Sequence, residues 1–116
     1  MANIPSMTDH FVHKDPSVRA LYDHLLKTLK RFGPVEQDPK KTSNHINRTS
    51  ALVGVETRKD CLLLTFKADH KINNPCIEKF EQISARRFHH KVRIRSSQDF
   101  DAELNSWLEA AYALAE

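Results

Sequence analysis

Residues 87–95 read Arg-Phe-His-His-Lys-Val-Arg-Ile-Arg, and the way their side chains divide decides the fold class. Successive side chains of a strand point to opposite faces. Phe88, His90, Val92 and Ile94 then share an apolar face, while Arg87, His89, Lys91, Arg93 and Arg95 line the other with no acid among them. The two adjacent histidines part company. His90 is expected at the edge of a core, satisfied by a hydrogen bond. His89 stands among cations that disfavour its protonation, so it is expected to be neutral and able to accept a proton or a hydrogen bond.

A half-buried strand needs partners, and the neighbouring text supplies them. Residues 51–57 alternate, Arg58-Lys59-Asp60 reads as a hairpin turn, and 61–68 (CLLLTFKA) is the most apolar strand of the chain. Residues 43–47 form a further short strand and 35–41, with Pro39, a connecting loop. After a loop at 69–74, Asn74-Pro75 reads as the cap of a short helix with Ile77, Phe80 and Ile83 turned inward.

Two longer helices flank these segments. Asp15 before Pro16 is a cap and first-turn pair; Val18, Leu21, Leu25, Leu29 and Phe32 recur at helical spacing, and Gly33-Pro34 stops the run. Ser97 caps the last helix, whose Phe100, Leu104, Trp107, Leu108, Ala111 and Leu114 form one apolar stripe. The expected fold class is α+β: an antiparallel sheet of about four strands, covered on one face by N-terminal and C-terminal helices, its other face left to solvent. Residues 1–14 are read as an N-terminal arm and 15–116 as a single domain.

Composition narrows the function classes. With 40% hydrophobic and 28% charged residues and only two glycines, the 116-residue chain reads as a globular protein with a real core, not a disordered one. The first residues hold no basic-then-apolar leader and no run is long enough to cross a bilayer, so a cytoplasmic protein without membrane contact is expected. Cys61 and Cys76 match neither a redox pair nor a zinc knuckle. The seven histidines show no HxxxH pair, so no metal or other cofactor is expected. The net charge of +3 hides an asymmetry: residues 98–116 carry five acids and no Lys or Arg.

The candidate anion-binding residues are Lys41, Thr42, His45 and Arg48 in one cluster, Arg58 in the turn, and Arg87, His89, Lys91 and Arg93 in the opening strand. Clustered cations suit phosphate without demanding a particular spacing. The leading expectation is therefore a non-enzymatic binding module whose basic sheet face takes a phosphate-containing ligand or nucleic acid. Tyr22, Tyr112, Phe88 and Trp107 all fit apolar faces, so no base-stacking platform is expected. The alternatives are a small metal-independent enzyme, with His45 or His89 as acid or base and Lys41 and Arg87 holding an anionic substrate, and a protein–protein interaction or dimerisation domain, as monomer or homodimer. A metal nuclease is disfavoured, because Glu56-Thr57-Arg58 lacks the usual lysine and the strands offer no converging carboxylates.

Taken together, "HFVHKDPSVRALYDHLL", "KKTSNHINRTSALVGVETRKDCLLLTF", "EQISARRFHHKVRIRS" and "DAELNSWLEAAYALAE" make a chain that resembles the bacterial family catalogued as domain of unknown function 5655. The resemblance runs from about His10 to Glu116, and its most specific pieces are Lys41, Thr42 and His45, the Arg58-Lys59-Asp60 turn, Arg87-Phe88-His89-His90, and the Trp107-Leu108 and Ala111-Tyr112 pairs. It implies a small stand-alone domain, also found as the tail of larger proteins, some of which look like nucleases elsewhere. The residues it singles out are Lys41, Thr42, His45, Arg58, Arg87 and His89.

Overall fold

The structure, a computed structural model, describes residues 14–39 and 43–115. The expected arm at 1–14 lies outside the described residues apart from Lys14, as do Lys41 and Thr42. In chain order the elements are α1 (Pro16–Phe32), β1 (Glu36–Pro39), β2 (Asn44–Asn47), β3 (Ala51–Thr57), β4 (Leu62–Ala68), β5 (Ile77–Ser84), β6 (Arg87–Ile94), a 3-10 turn (Ser97–Asp99) and α2 (Ala102–Leu114). The strands form one antiparallel sheet in the order β1-β2-β3-β4-β6-β5.

The α+β class holds, with six strands where about four were expected. Both additions sit at the edges. β1 forms in the segment read as a loop: Pro39 lacks a donor, which an edge position tolerates. β5 replaces the expected short helix. Asn74 does cap a turn, its Oδ1 accepting from the Cys76 amide at 2.8 Å, but the chain then pairs with β6 along its length. The three-residue spacing of Ile77, Phe80 and Ile83 imitated a helix because the β5–β6 register shifts between Ile77 and Lys79 and between Gln82 and Ser84. Each irregularity resets the two-residue alternation.

Both helices lie on one face of the sheet. α1 buries Val18, Leu21, Tyr22, Leu25 and Leu29, and α2 buries Leu104, Leu108, Ala111 and Tyr112. They close over Ile46, Val53, Val55, Leu62, Leu64, Phe66, Val92 and Ile94. Phe66 is the hub, stacked against Trp107 at 5.9 Å and His90 at 5.5 Å between ring centroids.

The start of α2 differs from the expected Ser97 cap. Ser96 caps the 3-10 turn, and Asp99 Oδ2 accepts from the Arg95 and Ser96 amides at 2.7 and 3.1 Å. α2 itself is capped by Asp101, whose Oδ1 accepts from the Leu104 amide at 2.8 Å. Asp101→Ala is expected to cost about 1 kcal/mol, as N-cap losses do, read as a lower urea midpoint with an unchanged slope.

The far end of α2 is closed by the β2–β3 connection. Thr49 and Ser50 amides donate to the Ala115 carbonyl at 3.1 and 2.9 Å. Arg48 Nη1 donates to the Tyr112 carbonyl at 3.0 Å, with the guanidinium 4.3 Å over the Tyr112 ring centroid. A cation is favourable there because helix C-terminal carbonyls carry partial negative charge.

Candidate functional site: a hollow on the open sheet face

The register places the candidate residues. Directly opposed positions run Asp38–His45 between β1 and β2, His45–Gly54 between β2 and β3, Gly54–Thr65 between β3 and β4, and Thr65–Lys91 between β4 and β6. Opposed residues of antiparallel strands share a face. This row therefore crosses the sheet on the side away from the helices. The flanking rows are Glu56–Leu63–Arg93 and Lys67–His89–Glu81.

A hollow of about 380 Å³ opens over the middle of these rows, lined on its polar side by His45, Glu56, Thr65, Lys67, His89 and Lys91. Gly54 forms its floor. A Cβ built there would meet only Thr65, at 3.9 Å from its Cβ, so the glycine leaves space open.

The charges in and around the hollow are unevenly paired. Glu56 is the one carboxylate in its lining among the described residues, and Oε2 serves both Arg58, at 3.4 Å, and Lys91, at 3.9 Å. Lys67 Nζ donates to Ser50 Oγ at 3.1 Å. Burial, and then the nearby Arg87 charge, hold the Lys67 ammonium below the usual lysine range. Arg87 stands at the rim, half-buried, its Nη1 donating to the Arg86 carbonyl at 2.9 Å.

The structure thus lines one hollow with His45 on one side and His89 and Lys91 on the other, and leaves Arg58 and Arg87 outside its lining. Two expected site residues are occupied elsewhere. Arg93 shares the face, but its Nε donates to Glu78 at 2.8 Å and its Nη1 to Cys61 Sγ at 3.3 Å; the Glu78 carboxyl is lowered chiefly by that hydrogen bond. Arg48 closes α2 and does not reach the hollow. Lys41 and Thr42 lie outside the described residues.

Lys67, Thr65 and Gly54 escaped the sequence reading. Alternation within CLLLTFKA already sets Leu63, Thr65 and Lys67 opposite Leu64, Phe66 and Ala68, and that was the signal available.

His45 and His89 cannot serve one reacting atom. Three strand spacings of ~4.8 Å separate β2 from β6, or about 14 Å across the sheet. An acid–base pair made of both is thereby ruled out, leaving only single-histidine schemes.

His90 faces the core, as its alternation required. It is fully buried; Nε2 accepts from the Ile72 amide at 3.0 Å, which assigns the proton to Nδ1. Burial first, then the His70 and His89 charges, lower its pKa from 6.5. Protonation would remove the lone pair that holds Ile72. Because the unfolded chain takes up that proton more readily, His90 contributes stability above about pH 6.5 that is lost as pH falls through its lower native pKa. Urea midpoints should drop across that window, and the drop should vanish in a folded His90→Gln variant.

The fold and this face define a class: a small α+β domain with two helices on one side of a six-stranded antiparallel sheet and a hollow on the other. No helix among the described residues is long and apolar enough to cross a membrane. The chain belongs to the family described as Domain of unknown function (DUF5655), whose profile matches residues 7–115. Comparisons with curated proteins and with solved structures return no match.

Proposed function

We propose that the domain is a non-enzymatic binding module whose open sheet face takes a phosphate-containing ligand in the Gly54 hollow. One observation carries the reading: Lys67, His89 and Lys91 line one side of a single hollow over a glycine floor, with His45 across it and Glu56 the one carboxylate among the described lining residues. Its volume falls within the range of small-molecule sites, roughly 300–1,000 Å³. Lysines grip phosphate as point charges, and Thr65 and the histidine rings add directional hydrogen bonds. A concave site favours one compact phosphate group over a polyanion laid across a flat surface.

The test compares a nucleoside monophosphate, inorganic phosphate and a single-stranded oligonucleotide by calorimetry across a salt series. The compact ligands should bind with a shallow salt dependence, since few counterions are displaced. Gly54→Val, which fills the floor without touching the core, should abolish binding while leaving the unfolding midpoint nearly unchanged. Tight oligonucleotide binding with a steep salt slope, retained in Gly54→Val, would instead assign the face to nucleic acid and overturn the small-ligand reading.

A further inference from the structure

The two edges of the sheet are unlike each other. β1 is blunted by Pro39 and by Glu36 and Asp38, the devices that keep an edge from pairing. β5 has no proline and mixes charges of both signs; its irregularities fall near its ends, leaving residues 79–82 regular, and only its Ile77 is half-buried. It also carries the two exposed large hydrophobic side chains found among the described residues, Phe80 at 44% and Ile83 at 51% exposure.

Between the two irregularities of β5 the stretch Lys79-Phe80-Glu81 pairs regularly with β6, and its order is self-complementary. A second β5 laid antiparallel about a two-fold axis normal to the sheet keeps each side chain on its own face. Lys79 and Glu81 lie on the open face, opposite Lys91 and His89 of β6, while Phe80 lies on the helix side opposite His90. Opposed residues must share a face, so within the regular stretch only alignments whose paired numbers sum to an even value are allowed. Centring on Lys79 or on Glu81 sets like charges face to face. Centring on Phe80 sets Phe80 against Phe80 and Lys79 against Glu81 on both sides of the axis.

We infer that β5 is a homodimer edge, pairing with β5 of a second copy in the Phe80-centred register. The product is one continuous sheet of twelve strands with the helices of both copies on one side. Both hollows then open on the same side, next to the new junction. This inference does not depend on which ligand the hollow takes.

Charge reversal tests the register without touching the core. Sedimentation velocity over a concentration series should show the wild-type chain forming a dimer. Lys79→Glu and Glu81→Lys should each be monomeric, because each sets like charges opposite one another twice. Mixed in equal amounts, the two single variants should form a heterodimer, since every opposed pair is again of opposite sign; the double swap within one chain should dimerise too. Circular dichroism should show all variants folded. A wild-type chain that stays monomeric at its solubility limit, or a mixture of the two variants that stays monomeric, would overturn the inference. A wild-type dimer unaffected by either reversal would do the same, since it would place the interface elsewhere.

Discussion

Gly33→Ala is expected to lower the stability of this domain by about 3 kcal/mol or more, a large share of the 5–15 kcal/mol a domain of this size possesses. Two costs combine. Gly33 ends α1 with φ 153° and ψ −171°, a region open in practice only to glycine, and forcing another residue into it costs about 1–3 kcal/mol. A Cβ there would also lie 2.9 Å from Tyr112 Cζ and closer still to the hydroxyl oxygen. That ring has little freedom to retreat. Its hydroxyl donates to the Pro34 carbonyl at 3.2 Å, Arg48 covers its face, and Phe32 packs at 6.0 Å. Urea denaturation reads the loss, and a Tyr112→Phe background separates the two causes. The clash with the hydroxyl should be relieved there, while the contact with the ring carbon and the backbone part should remain. A Gly33→Ala protein within about 0.5 kcal/mol of wild type, the range of ordinary surface changes, would show that the α1–β1 connection does not depend on this contact.

Replacing Lys67 and Lys91 together should weaken binding of a phosphate monoester by roughly a hundredfold or more. A hydrogen bond to a charged group contributes about 1.5–3 kcal/mol, and each factor of ten corresponds to 1.4 kcal/mol. The stability change should run the other way. Burial and Arg87 already disfavour the Lys67 charge, so Lys67→Met, which keeps much of the stem, should leave the unfolding midpoint unchanged or raised. Loss of binding without loss of stability distinguishes a ligand-facing lysine from a structural one. A variant pair that binds as tightly as wild type would remove both lysines from the site.

Much of this fold was legible in the residues, and the failures have specific physical origins. The alternation of RFHHKVRIR sent His90 to the core and His89 outward because a strand buried on one face cannot slip by a residue without inverting that pattern. α1 was bounded correctly at Pro16 and Gly33 because both residues act through their own backbone geometry, needing no tertiary partner. β5 was misread because its irregularities replaced a spacing of two by one of three.

The site was legible only where alternation held. The run of apolar residues in β4 drew attention to its buried face and away from Lys67. Arg48 was grouped with its sequence neighbours, yet the register shift between Ile46 and Asn47 carries it out of the ladder toward α2. Arg93 was counted as available because its partner, Glu78, lay in a segment read as a helix.

The central claim is that the Gly54 hollow is where this domain meets its ligand. An amide-correlation NMR titration of the 116-residue chain with a nucleoside monophosphate at low salt tests it most directly. The account predicts saturable shifts centred on His45, Gly54, Thr65, Lys67, His89 and Lys91, with Arg48 and the α2 amides unmoved. No shifts, or shifts centred on any other surface, would contradict it.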